Sequence, residues 1–136
     1  MASPTELLQR VPLFSSLSPS QLEVLARSFR ERTFSAGSEV TTEGENGVGF
    51  FVIESGSATV SVAGEERRSL GAGDYFGEMA LIDMSPRSAT IVADDELRCW
   101  GLTSWEFRPL VESNAQIAWA LLQQLAQRQG HAGTSA

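Results

Sequence analysis

Near the middle of the chain runs Gly71-Ala72-Gly73-Asp74-Tyr75-Phe76-Gly77-Glu78-Met79-Ala80-Leu81-Ile82-Asp83-Met84-Ser85-Pro86-Arg87-Ser88-Ala89-Thr90, a segment of mixed signals. Its flanks are β-like, yet Glu78 to Asp83 consists of helix-forming residues, so one helical turn is predicted inside a sheet. Gly77 stands just before that turn, where the missing Cβ lets a ligand approach the backbone. The first amides of a short helix lack intrahelical acceptors and carry partial positive charge, which suits an anion. Arg87 lies nine residues after Glu78 and can fold back over the turn. A partly buried guanidinium in that place favours a bidentate oxyanion such as phosphate. Glu78, in the first turn, is an acceptor that can hold a hydroxyl pair. Taken singly, each part has an ordinary reading: the Gly-rich loop as a turn, Arg87 as a surface ion pair, Glu78 as a helix-start acid. Their co-occurrence marks the segment. The loop is not a dinucleotide fingerprint, whose third Gly falls elsewhere, nor a Walker loop, which needs a Lys the chain does not have.

The region from Arg32 to Trp100 has short β-like runs broken by Gly. Gly49-Phe50-Phe51-Val52-Ile53 and Ala58 to Ala63 are two of them, the second with Val60 and Val62 on one face. Turns are predicted at Glu54-Ser55-Gly56-Ser57 and Ala63-Gly64-Glu65-Glu66. Ala89 to Ala93 and Leu97 to Gly101 follow. Many short strands at this spacing suggest a sandwich or jelly roll. The N-terminal third is helical. A short start at Thr5 is interrupted by Pro12; a second helix opens at Ser18 as N-cap, with Pro19 at its first position and Gln21 closing a capping box. Leu22, Leu25, Ala26 and Phe29 share its apolar face, and Leu13 and Phe14 are placed to pack back onto it. Thr103-Ser104-Trp105-Glu106 opens a helix with Phe107, Leu110 and Val111 apolar. Ser113 or Asn114 then caps a longer one carrying Ile117, Ala118, Leu121, Leu122 and Leu125 and running to about Gln129-Gly130. The acids Glu65-Glu66 and Asp94-Asp95-Glu96 are expected in solvated turns, Trp100 and Trp105 in the core or helix packing, and Cys99 as a small buried hydrophobe.

The 136 residues suit one domain, and the hydrophobic and charged fractions, 42% and 20%, are those of a globular chain. Seventeen acids against ten bases, all of them Arg, give a net charge of −7, which argues against a general nucleic-acid binder. No helix-turn-helix pattern is seen after Gly130. The one His, His131, lies in a Gly/Ala/Ser/Thr tail far from the one Cys, Cys99, so neither a zinc or iron site nor a Ser-His-Asp or Cys-His triad can be assembled. The same scarcity of His disfavours a metal-dependent cupin-type enzyme. One Cys cannot make a disulfide within the chain, which fits a reducing compartment. The first twenty residues show no secretory signal pattern, and no apolar run approaches the ~20 residues that span a membrane. The expectation is a cytoplasmic chain without membrane insertion.

Phe76-Gly77-Glu78-Met79-Ala80-Leu81-Ile82 followed by Pro86-Arg87-Ser88-Ala89-Thr90 closely resembles the phosphate-binding cassette of the cyclic nucleotide-binding domain family. The resemblance extends over roughly Leu8 to Gln129. It is strongest toward the domains of bacterial cyclic-nucleotide-gated potassium channels and more distant toward the sensor half of catabolite-activator-type regulators. It implies an eight-stranded β jelly roll, mainly β, with an N-terminal helical segment (5–30), a β-roll (31–102) holding the cassette (76–90), two C-terminal hinge and lid helices (103–129), and a disordered tail (131–136). It further implies that the amides of Gly77 and Ala80 meet the cyclic phosphate, that Glu78 accepts the ribose 2′-hydroxyl, and that Arg87 pairs with the exocyclic oxygens. Ser88 occupies the position where Thr tends to favour guanine and Ala adenine. Val62 and Met79 line the base, and Phe76 and Ala89 complete the contact set. Thr90 is structural. Arg128 either stacks on the purine or complements the last helix's dipole. Trp119 either anchors the hinge or packs on the core or a partner.

The expected function is a non-enzymatic, cofactor-free sensor of a cyclic nucleotide, cAMP ahead of cGMP. Its C-terminal helices would re-pack on the ligand to signal to a protein effector or fused output domain outside this chain, with no direct DNA binding. The alternative is a degenerate member of the fold acting only through protein contacts.

Overall fold

The computed structural model describes residues 4–44, 49–77, 81–82, 87 and 89–131, with 128–131 described by backbone alone. Among them are eight strands: β1 (Arg30–Phe34), β2 (Glu39–Thr41), β3 (Gly49–Ser55), β4 (Ala58–Val62), β5 (Glu65–Leu70), β6 (Tyr75–Phe76), β7 (Thr90–Ala93) and β8 (Leu97–Thr103). They form two four-stranded antiparallel sheets, ordered β1-β8-β3-β6 and β2-β7-β4-β5. First strand pairs with last, second with second-last, third with third-last, and β4 with β5. The chain is thus one long antiparallel ribbon rolled on itself, the jelly-roll topology expected from the sequence.

Why β3 reads as an unbroken apolar run is now plain. Phe50 and Val52 face a core shared with the helices, while Ile53 and Phe51 face a second core between the sheets. A strand covered on both sides needs no polar alternation. Strand β4 has only its inner face buried and alternates accordingly, Ala58 and Val60 in, Thr59 and Ser61 out. The helices α1 (Thr5–Gln9), α2 (Pro19–Ala26), α3 (Ser104–Glu112) and α4 (Ala115–His131), with a 3₁₀ turn at Pro12–Phe14, supply the outer core. Phe50 is its hub, taking edge-on contacts from Phe14 at 5.7 Å and Phe29 at 5.8 Å. Both anticipated capping boxes form: Ser18 with Gln21 and Thr103 with Glu106. Each hydroxyl cap is worth about 1 kcal/mol.

Several expectations are corrected. Glu65 and Glu66 are not in a turn; they open β5, an edge strand whose first five residues are all exposed. The turn is only two residues, Ala63 and Gly64, both at positive φ (54° and 79°), which suits a tight hairpin whose twist matches the strands. Trp105 is 63% exposed and Trp119 63% exposed, so neither packs in the core, and Leu122, placed on the apolar stripe of α4, is 56% exposed. The stripe that does pack is Ile117, Ala120 and Leu121, with Leu125 partly buried against the same core. Asn114 donates its side-chain amide back to the Leu110 carbonyl at 2.7 Å, closing the end of α3. Helix α4 continues through Gly130 to His131, which had been placed in the tail; residues 132–136 lie outside the described set. Among the described residues no helix is long and apolar enough to cross a membrane, and no cluster of metal-binding side chains occurs.

Cys99 is fully buried in the core between the sheets, and burial pushes its thiol up to about 12. The unfolded thiol loses its proton above about 8.5, whereas the folded one keeps it to about 12. Native stability is therefore insensitive to this group below pH 8 and falls as pH rises from about 9 toward 12. Denaturant unfolding across that range should show the decline, and Cys99→Ala should flatten it. The native thiol should also resist disulfide reagents at neutral pH.

Candidate functional site

Each arm of the ribbon has to leave one sheet and enter the other. Every connection except β4–β5 makes that change, and two of these crossings, β2 to β3 on one arm and β6 to β7 on the other, are neighbours. Ladder pairing lapses there, so the backbone groups find partners across the arms. The Gly44 amide donates to the Arg87 carbonyl at 2.9 Å. The Glu43 amide donates to Thr90 Oγ1 at 3.0 Å, and the buried Thr41 hydroxyl donates to the Ala89 carbonyl at 3.1 Å. Thr90 thus has the structural role assigned to it.

Arg87 reaches across the same gap, its Nη2 donating to the Gly49 carbonyl at the head of β3. Gly77 lies beneath this contact with φ of +84°. A methyl group there would sit 2.5 Å from the Gly49 carbonyl oxygen and overlap the Arg87 guanidinium. The absence of a side chain at Gly77 is therefore required twice, by the left-handed backbone and by the arginine lying over it. Burial pulls the Arg87 guanidinium below its ordinary value. Its buried Nε has no hydrogen-bond partner, and no carboxylate forms an ion pair with it, among the described residues. A partly desolvated cation without a counter-charge is costly and is relieved by an anion.

The sequence-predicted residues fall into three groups. Gly77, Arg87, Phe76, Ala89 and Val62 are described. The first two are in contact through the space above Gly77; Phe76 is buried with its ring 5.4 Å from Phe51, and Ala89 packs against the inner core. Val62 is half-buried, continuing the inner face of β4 past Val60. Glu78, Met79, Ala80 and Ser88, with the helical turn anticipated at Glu78 to Asp83 save Leu81 and Ile82, lie outside the described residues. Arg128 belongs to α4, but its side chain is likewise not described. Sequence reasoning missed the Gly49 carbonyl, the Gly44 amide and Thr41. Two of these act through the backbone and leave no mark in side-chain chemistry; Thr41 is an ordinary strand residue by composition.

Comparison with known proteins places this geometry in context. The cyclic nucleotide-binding domain model matches residues 31–114. A cyclic nucleotide-gated potassium channel of Mesorhizobium japonicum is 38% identical over 130 residues, 96% of this chain and 36% of that protein. A cAMP-dependent protein kinase regulatory subunit of Aspergillus niger is 41% identical over 93 residues, 67% of this chain and 23% of that protein. The chain spans about a third of the length of the channels it matches. Among solved structures, the N-terminal domain of a transcriptional regulator from Streptomyces coelicolor A3(2) superimposes with a TM-score of 0.86 at 27% identity, covering 93% of this chain and 92% of that one. The regulatory domain of Toxoplasma gondii PKA, crystallised with cAMP, gives 0.73 at 26% identity over 93% of this chain and 48% of its own. A rolled ribbon with an arginine held at its crossing, matched along most of its length by these proteins, belongs to the cyclic nucleotide-binding domain family.

Proposed function

We propose that this chain is a non-catalytic sensor that binds a cyclic nucleotide, cAMP in preference to cGMP, at the crossing beside Gly77. The observation that carries the reading is Arg87: half-buried, held over Gly77 by one carbonyl, and without a protein counter-charge among the described residues. A cyclic phosphate supplies one negative charge and exocyclic oxygens that match a guanidinium fork. The relatives are named for the same ligand class, cyclic nucleotide-gated channels and cAMP-dependent kinase regulatory subunits. By the family pattern, Gly77 and Ala80 give amides to the phosphate, Glu78 takes the 2′-hydroxyl, Ser88 biases the base, and Phe76, Val62, Met79 and Ala89 wall the ligand. Arg128, near the end of α4, closes over it. The uncovered Trp119 and Leu122 give α4 an apolar face with something to gain from re-packing. For that movement to signal, the two helix positions have to differ in ligand affinity. The output then passes to an effector or fused domain, in the cytoplasm.

Titration calorimetry tests this directly. The folded chain should bind cAMP with saturable heat and cGMP more weakly. Arg87→Ala should cost at least about 2 kcal/mol, roughly thirtyfold in affinity. No heat from the folded chain at millimolar cAMP and cGMP would leave the protein-contact module as the reading.

Substituting two glycines distinguishes the cost of a left-handed backbone from the cost of displacing Arg87. Gly64→Ala meets open space at φ +79° and should lose only the left-handed penalty, about 1–2 kcal/mol in denaturant unfolding. Gly77→Ala pays that and also displaces Arg87, so it should be the less stable of the two and bind cAMP more weakly than Gly64→Ala.

A further inference from the structure

The side chain of Glu43 has a partner that the ladder and the crossing do not require. Its Oε1 accepts the Ala63 amide at 2.8 Å, twenty residues away at the tip of the β4–β5 hairpin. The same residue's amide is held by Thr90, and the next residue, Gly44, holds the Arg87 carbonyl. One residue therefore joins the crossing that carries Arg87 to the turn that follows Val62. The two ends of this link are not equally secure. The crossing keeps the Thr41, Glu43-amide and Gly44 bonds whatever the Glu43 side chain does. The hairpin tip is exposed on an edge strand, slips register between Val60 and Ser61, and turns through a non-glycine left-handed residue, Ala63 at φ 54°. The ladder of β4 with β7 holds it to the crossing as far as Ser61, opposite Thr90; beyond that point, at Ala63, the tie to the crossing is the Glu43 carboxylate.

From this asymmetry we infer that Glu43 is a positioning residue of the ligand site, setting the β4–β5 tip, and with it the Val62 wall, against the fixed phosphate-binding crossing. It touches no ligand. The inference rests on the cyclic-nucleotide reading above and deepens it, because it assigns Glu43 to the base end of the ligand and not to the phosphate end.

The test uses the full chain and two ligands, cAMP and a base-free analogue, methyl ribofuranoside 3′,5′-cyclic phosphate. Glu43→Ala should weaken cAMP by about three- to tenfold, the scale of one charge-assisted hydrogen bond near the surface. The base-free analogue should change by less than about twofold. Glu43→Gln, which keeps the amide oxygen as acceptor, should restore cAMP binding to within about threefold of the parent. In a Val62→Ala background the effect of Glu43→Ala should shrink toward nothing, since the wall it positions is gone. Equal losses for both ligands would place Glu43 at the phosphate end and overturn the inference, as would an unchanged cAMP affinity in a folded Glu43→Ala protein or full additivity with Val62→Ala. Failure of the parent to bind cAMP at all is a separate result, and it would sink the ligand assignment itself.

Discussion

Strand β3 lies between two cores, and the rest of the molecule is arranged around that constraint. Phe50 and Phe51 are neighbours in sequence, yet one is the hub of the helical layer and the other packs inside the roll against Phe34 and Phe76. The ring of Phe51 fits because its partner across the ladder is Gly101; a methyl group there would come within 2.7 Å of it. Covered on both faces and paired on both edges, β3 is fixed in every direction. Its first residue, Gly49, therefore presents a carbonyl of well-defined position. That carbonyl is the one that holds Arg87.

A rolled antiparallel ribbon necessarily has places where both arms change sheets, and the β2–β3 and β6–β7 connections form one of them. Regular pairing is suspended there, and polar backbone groups become available to something other than a ladder. Here they are used across the arms, through Gly44, Glu43 and Thr41 on one side and Arg87, Thr90 and Ala89 on the other. The segment carrying Gly77 and Arg87 is thus supported at this crossing by Thr41, Glu43 and Gly44 of the other arm.

Much of the architecture was legible in the sequence, for reasons that differ by element. Capping boxes at Ser18 and Thr103 are local chemistry and were read correctly. The Gly49–Ile53 run and the alternation of β4 reported two-sided and one-sided burial. Strand β5 was partly hidden, because an edge strand with its first five residues exposed carries no hydrophobic period, and its Glu65-Glu66 looks like a turn. Trp105 differs for the opposite reason: it is large and apolar, so composition argues for burial, while its angular position on α3 puts it outside; the exposure of Trp119 removes only the core reading of that residue. At the site, Gly77 and Arg87 were visible as side-chain chemistry. The Gly49 carbonyl was not, because a backbone acceptor is the same in every residue.

The acidity of the chain looks at first like an obstacle to binding a phosphate ester. Seventeen acids outnumber ten arginines. At physiological ionic strength, however, exposed charges more than about 8 Å away are largely screened, so the total matters less than what lies beside Arg87. Among the described residues of the crossing the acidic one is Glu43, and its carboxylate is engaged by the Ala63 amide. Had it paired with Arg87, an incoming phosphate would first have to displace a carboxylate, exchanging one charged hydrogen bond for another at little net gain. A neutral carbonyl is a weaker competitor. By directing Glu43 to the hairpin and leaving Arg87 to Gly49, the crossing keeps this cation oriented and, among the described residues, without a counter-charge. That is the condition under which a single anion can bind well to a protein carrying seven negative charges.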